Sequence, residues 1–265
     1  NFIDTAEMYP VNPVSAETIG RTEEIIGLWI EAAKRRDEVI LATKHSGEGL
    51  GYVRDGAAIT SKTIPQAVEG SLRRLKPAYI DLYQCHWRHR GGYMFRKNWE
   101  YDPTGSDPVA VRQDMDDCIG ALEAEVKRGT IRAFGLSNES AWGTCQWLAA
   151  AERVGGPRVA AMQNEYSLLC RLYDSDMAEM SIYEDVGLLA FSPLAAGLLT
   201  GKYQNGEVPE GSRMSLNDNM GGRKTKRVFA TIDAYLAIAS RHSLDPTQMA
   251  LAWCLTRPFH VIPIF

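Results

Sequence analysis

The sequence predicts an α/β fold, a (β/α)8 barrel (TIM barrel) of alternating strands and helices. Short, continuously apolar runs recur along the chain, and each is followed by a helical pattern. The length, 265 residues, is close to the roughly 250 residues usual for one such barrel. No G-x-G-x-x-G follows an early strand, which argues against an open doubly wound sheet.

Seven runs read as strands: 1–5, 39–43, 79–85, 131–136, 159–162, 187–191 and 259–265. They are short and partly β-branched, as suits strands buried on both faces of a parallel sheet. Helical patterns fill the intervals at 17–35, 61–75, 115–128, 141–154, 172–185, 224–242 and 246–257. In the first, Ile19, Ile25, Ile26, Trp29, Ile30 and Ala33 are expected on one buried side. Thr60 or Ser61 can cap the second, and Gly129 stops the third. Strict alternation implies right-handed βα crossovers. Seven strands are one short of a closed barrel, and an open sheet leaves two unpaired edges. The chain begins on Asn1 and ends on Phe265, each inside an apolar run. The expectation is one barrel domain over 1–265, incomplete at both ends, its first strand and C-terminal helices lying outside this chain.

Two long segments have no regular pattern. Residues 88–108 carry Tyr93, Phe95, Trp99 and Tyr101, and residues 205–223 are rich in Gly, Asn and Ser. Long loops in compact domains commonly carry function.

The hydrophobic fraction is 45% and the charged fraction 23%, ordinary for a globular enzyme. The net charge of −4 and the lack of a long basic block argue against nucleic-acid or anionic-membrane partners. No apolar run approaches the roughly 20 residues that span a bilayer. The five cysteines form no C-x-x-C or Cys/His cluster. They are expected to be reduced thiols of a cytoplasmic protein, with no metal site. A homo-oligomer is possible on this sequence.

Each predicted strand ends in a polar or ionisable side chain: Asp4, Lys44, His86, Ser137 with Asn138, Gln163 and Ser192. In parallel barrels the active site is built at that C-terminal face from the ends of several strands. Singly, each has a bland explanation: a solvated lysine, a core histidine, a helix cap. As a set they are hard to explain by packing. Tyr9 follows Asp4 by five residues, on a turn closed by Pro10. A phenol is a poor acid at neutral pH, and a nearby ammonium favours its ionised form. Asp4 paired with Lys44 can aim that ammonium at Tyr9, while His86 orients a substrate oxygen. Such a site can protonate a carbonyl oxygen while hydride arrives at carbon. Side chains offer no hydride, so a nicotinamide is implied. Ser137, Asn138 and Gln163 suit its carboxamide, and Phe191 can stack on its ring.

The chain resembles the aldo-keto reductases, in the branch that holds Tas-like reductases and the potassium-channel β subunits. The resemblance rests on Asn1-Phe-Ile-Asp-Thr-Ala-Glu-Met-Tyr9, Leu41-Ala-Thr-Lys44, Tyr79-Ile-Asp-Leu-Tyr-Gln-Cys-His-Trp87, Gly135-Leu-Ser-Asn138, Gln163-Asn-Glu-Tyr-Ser167 and Ala190-Phe-Ser-Pro-Leu194 with Gly197-Leu-Leu-Thr-Gly-Lys202. Their order and spacing cover nearly the whole chain.

The resemblance implies reduction of aldehydes and ketones with NADPH. Asp4, Tyr9, Lys44 and His86 match the family tetrad, with Tyr9 as general acid. Ser137, Asn138 and Gln163 match the carboxamide contacts. Phe191 stands where the family usually has a stacking Tyr, and it keeps the π face. Ser192, Leu194, Gly197 and Lys202 match the loop over the pyrophosphate. Trp87 and Tyr52 are expected to wall the pocket of a small-molecule carbonyl substrate. The segment that meets the adenosine 2′-phosphate has no match here, so a preference for NADP(H) rests on the family alone. The alternative that the resemblance carries is a cofactor-binding regulatory subunit with little turnover.

Overall fold

The computed structural model describes residues 1–11, 14–88 and 90–265. Its strands are β1 (Phe2–Asp4), β2 (Ile40–His45), β3 (Ile80–Cys85), β4 (Ile131–Ser137), β5 (Val159–Glu165), β6 (Gly187–Phe191) and β7 (Val261–Ile264). They form one seven-stranded sheet in sequence order, β1 to β7. The pairs β1–β2, β2–β3, β3–β4 and β6–β7 are parallel. Sequential order without a switch point is the connectivity of a (β/α) barrel, not of a doubly wound sheet.

The helices are α1 (Arg21–Ala33), α2 (Thr63–Leu75), α3 (Pro108–Arg128), α4 (Ala141–Val154), α5 (Asp176–Glu184), α6 (Arg213–Leu216), α7 (Val228–Arg241) and α8 (Pro246–Leu255). α3 begins seven residues before the start expected at Met115. Asp107 caps it by accepting from Val109 N, and Pro108 occupies the first turn, where a missing N–H costs nothing. That start lies inside what reads as irregular loop. Residues 204–222 also hold short helical turns, pinned by the buried Met214 and Met220. In α1 the buried face runs through Glu23, Gly27 and Ile30, so Ile25 and Trp29 are exposed, against expectation.

The chain divides into two compact units, Asn1–Gly92 with Tyr101–Met162, and Tyr93–Glu100 with Gln163–Phe265. In the first, α1 and α2 approach so closely that a Cβ on Gly27 would lie 2.3 Å from Arg74 O. Buried Glu23 ties the layers: its carboxylate accepts from Thr43 Oγ1 at 2.6 Å and Arg74 Nε at 2.6 Å. In the second unit, Leu198, Leu199, Tyr203, Met214, Met220 and Ile232 form a continuous core. A separate aromatic group there stacks Tyr166 on Trp253, with ring centroids 5.0 Å apart.

Candidate active site

Strand register decides which side chains meet. Asp4 pairs with Ala42, two residues before Lys44; Lys44 pairs with Gln84, two before His86; Gln84 pairs with Gly135, two before Ser137. Side chains alternate along a strand, so Asp4, Lys44, Gln84, His86 and Ser137 share one face. Leu41, Thr43, Tyr83 and Phe134 take the other. Gly135 lets the strands close beneath that face, because a Cβ there would sit 2.7 Å from Ala161 O.

On this face Lys44 is fully buried, and its Nζ donates to Asp4 Oδ2 at 2.5 Å and Thr5 O at 2.8 Å. A buried ammonium is tolerable only with such partners. Gln84 Nε2 donates to the other carboxylate oxygen, Asp4 Oδ1, at 3.1 Å. Lys44 Nζ lies 5.2 Å from the centroid of the Tyr9 ring, and that ring meets His86 edge-on at 5.7 Å. The structure therefore brings Asp4, Tyr9, Lys44 and His86 together. Burial, and then the Lys44 charge, push the His86 imidazole well below its ordinary value. It stays neutral at physiological pH, one nitrogen a donor and the other an acceptor. His86 Nδ1 is buried with no hydrogen-bond partner among the described residues. An orphaned polar atom of that kind marks a place where another polar group belongs.

The loop carrying Tyr9 is fixed from below. Glu7 accepts from Arg54 through both oxygens, at 2.5 and 2.8 Å, and from Ser46 N at 2.6 Å. Burial alone would raise this carboxyl, but Arg54 and His45 hold it below the usual range. His45, buried beside it, is pushed down to about 4, chiefly by desolvation.

Ser137 ends β4, Asn138 follows it, and both are buried. Asn138 takes a left-handed backbone, φ 55°, which asparagine tolerates better than most residues. Its Nδ2 donates to His86 O at 2.9 Å and Ser137 Oγ at 3.0 Å, which leaves its Oδ1 as an acceptor. The next residue, Glu139, is buried and takes hydrogen bonds from both Arg88 and Arg90. Arg88 also donates to Ser140 Oγ at 2.8 Å. Two residues after His86 are thus tied to two residues after Ser137. Trp87 lies against His86, ring centroids 4.8 Å apart, and donates from Nε1 to Glu48 O. Tyr52 is exposed on the loop after β2.

The remaining expected residues lie in the second unit. Gln163 is buried in β5, and Phe191 ends β6. From Ser192 the backbone turns left-handed repeatedly, at Ser192, Ala195, Ala196 and Gly197. Successive turned amides of this type form anion-binding concavities. Lys202 folds back on the same loop: a Cβ on Gly197 would lie 3.3 Å from its Nζ. Ser192 Oγ accepts from Arg223 Nη2 at 3.3 Å. Among the described residues no helix is long and apolar enough to cross a membrane.

Gln84, Glu7, Arg54 and Glu139 are absent from the residues expected on sequence. The pairing of Lys44 with Gln84 appears only once the strand register is known. Glu7 and Arg54 are 47 positions apart, with no pattern to link them. Glu139 directly follows Asn138 and reads as an ordinary charge at a helix start.

Comparison with known proteins agrees with the motifs. The aldo/keto reductase family profile matches residues 1–265. "Protein tas" of Escherichia coli (strain K12) is 41% identical over 262 residues, covering 98% of this chain and 74% of its own. "Aldo-keto reductase" of Babesia bovis is 33% identical over 235 residues, covering 84% and 82%. "Probable voltage-gated potassium channel subunit beta" of Arabidopsis thaliana is 29% identical over 265 residues, covering 97% and 71%. The chain belongs to the aldo/keto reductase family, a family of oxidoreductases.

Proposed function

We propose that this protein reduces aldehydes or ketones to alcohols with NADPH, that Tyr9 is the general acid, and that residues 1–265 act as one barrel domain. The observation that carries the reading is the Lys44 ammonium, held by Asp4 at 2.5 Å and set 5.2 Å from the Tyr9 ring.

The residues fit a nicotinamide cofactor. Asn138 Oδ1, an acceptor while its Nδ2 donates to His86 O and Ser137 Oγ, suits the carboxamide amine, with Ser137 and Gln163 assigned the same role. Phe191 offers a flat apolar face to the ring. The turned amides of 192–197 and the Lys202 ammonium suit a pyrophosphate, with Ser192, Leu194 and Gly197 forming the cover. When bound, the cofactor supplies the hydride. NADPH over NADH is the family's habit, carried over to this chain.

This chain's own residues then handle the oxygen. Tyr9 Oη gives its proton to the carbonyl oxygen as the C–O double bond becomes single. Lys44 stabilises the phenolate left behind, which is reprotonated from solvent. Asp4 holds Lys44 in position by its hydrogen bond, and Gln84 holds Asp4. His86, neutral through burial, points the carbonyl oxygen by a hydrogen bond without competing as an acid. Trp87 and Tyr52 would flank a small-molecule carbonyl substrate.

The reading is tested by fluorescence titration of NADPH and NADH, followed by turnover with a panel of aromatic and aliphatic aldehydes. NADPH bound more tightly than NADH, with oxidation coupled to alcohol formation, is the expected result. Tight NADPH binding with no turnover on any aldehyde would overturn the reductase assignment.

A further inference from the structure

The second unit holds a cavity of about 400 Å³ that touches the proposed cofactor loop only at Ala195 and reaches away from it. Its volume lies in the range of about 300–1,000 Å³ typical of small-molecule sites. One wall is apolar, made by Leu168, Leu169, Leu172 and Val228. Its charged lining is Arg96, Arg171, Arg223 and Arg227 against one carboxylate, Glu165, beside neutral residues such as Asn98, Thr225 and Thr231.

The charges do not balance. Arg171 is matched by Asp174, outside the lining. Arg96 and Arg223 share Glu165: Arg96 bonds it through Nη2, and Arg223 Nε donates to it at 2.8 Å. Arg96 Nε and Nη1 have no partner among the described residues, nor has the Arg227 side chain. Two positive charges therefore exceed what the walls neutralise. The geometry is built: Arg223 is further held by donating from Nη1 to Met220 O at 3.0 Å and from Nη2 to Ser192 Oγ. Gly222, at φ 80°, leaves room for Arg96, whose Cδ would lie 3.0 Å from a Cβ there. Burial lowers the Arg223 guanidinium from its ordinary value; Glu165 pulls against that and Arg96 adds to it. An anion in the cavity would relieve that crowding.

We propose that this cavity binds a small organic oxyanion on an apolar body, with Arg96, Arg223 and Arg227 facing the charge and the leucine wall facing the body. Guanidinium forks match carboxylate and phosphate oxygens with paired hydrogen bonds. The leucines distinguish an organic anion from a bare inorganic one. The site borders the loop proposed over the pyrophosphate, through Ala195 and the Arg223–Ser192 contact, so the titrations below are repeated with NADPH present: anion binding unchanged by NADPH keeps the two sites apart, and displacement by NADPH would overturn the proposal.

The test is calorimetric titration of the full chain, at physiological salt, with benzoate, phenyl phosphate, neutral benzyl alcohol and inorganic phosphate. Benzoate or phenyl phosphate should bind at least about tenfold more tightly than benzyl alcohol and inorganic phosphate. Whichever of the two is tighter identifies the charged group as carboxylate or phosphate. Arg227→Gln, an exposed change, and Arg96→Gln should each weaken that binding about tenfold while benzyl alcohol is unaffected. Unfolding curves for both variants separate lost binding from lost fold. Equal binding of benzyl alcohol, equal binding of inorganic phosphate, unchanged affinity in a folded Arg227→Gln, or no binding of either organic anion would each overturn the proposal.

Discussion

Lys44 Nζ stands 2.5 Å from Asp4 Oδ2, at the ends of two adjacent parallel strands. The contact follows from register. Asp4 faces Ala42, whose small side chain leaves the Lys44 stem free to reach across from two residues further along β2. The lysine is fully buried, so its charge is directed where the fold aims it, toward Asp4, Thr5 O and the Tyr9 ring.

Lys44→Met keeps the length and apolar stem and removes that charge. Carbonyl reduction should fall by orders of magnitude, equivalent to about 3–6 kcal/mol of transition-state stabilisation at about 1.4 kcal/mol per tenfold. Cofactor affinity should change little. Steady-state kcat/KM beside a cofactor titration checks both. Unchanged turnover would remove Lys44 from the chemistry.

Glu7→Gln keeps the shape of the side chain that anchors the Tyr9 loop but leaves Arg54 without its counter-charge. Breaking a buried pair from one side is costly, and retained hydrogen bonds moderate it to about 2–3 kcal/mol. Urea denaturation should show a lowered midpoint with an unchanged slope. A midpoint equal to wild type would mean that the Glu7–Arg54 pair does not hold the loop.

Gly135→Ala places a methyl 2.7 Å from Ala161 O between neighbouring strands. Backbone has no rotamer with which to yield, so overpacking of about 1–3 kcal/mol is expected. Thermal unfolding reads it directly, and a neutral result would contradict the close approach of β4 and β5.

Acid should destabilise the fold well before the carboxylates titrate. An unfolded histidine takes up a proton near pH 6.5, whereas folded His45 does so only near about 4. Between those values the unfolded chain holds more protons, so stability falls as pH drops. For His45 the loss is about 2 kcal/mol by pH 5, and buried His86 adds in the same direction. Glu7, whose carboxyl is depressed, adds a further loss below about pH 4.3, where the unfolded carboxylate protonates. Urea midpoints at pH 7.5 and 5.0 measure the first part, and His45→Gln should shrink the difference. An equal difference in the variant would exclude His45 as a source.

Much of this was legible in the sequence because parallel strands buried on both faces announce themselves as apolar runs. Their polar C-terminal ends, Asp4, Lys44, His86, Ser137 and Gln163, are visible as breaks in those runs. What stayed hidden depends on register or on distant partners. Gln84 lies within an apolar strand pattern, and only its pairing with Lys44 turns it toward Asp4. The two arginines on Glu139 come from a segment that reads as irregular loop. The early start of α3 was masked by the aromatic and polar residues before Asp107, although the Asp–Pro cap was there to be seen. In that loop Trp99 is 93% exposed, so an aromatic residue in sequence did not mean a packed one. Periodicity of α1 admitted Ile25 and Trp29 to its apolar stripe, but the close approach at Gly27 rotates the buried face away from them.

The most direct measurement is NADPH oxidation with an activated aromatic aldehyde by the full-length protein, run beside Tyr9→Phe. The change removes one hydroxyl and keeps the ring against His86 and Lys44. Turnover in the wild type and its loss in the variant, with cofactor affinity retained, is the predicted result. Equal turnover in Tyr9→Phe would show that the proton comes from elsewhere, and the assignment of Tyr9 as the acid would fall.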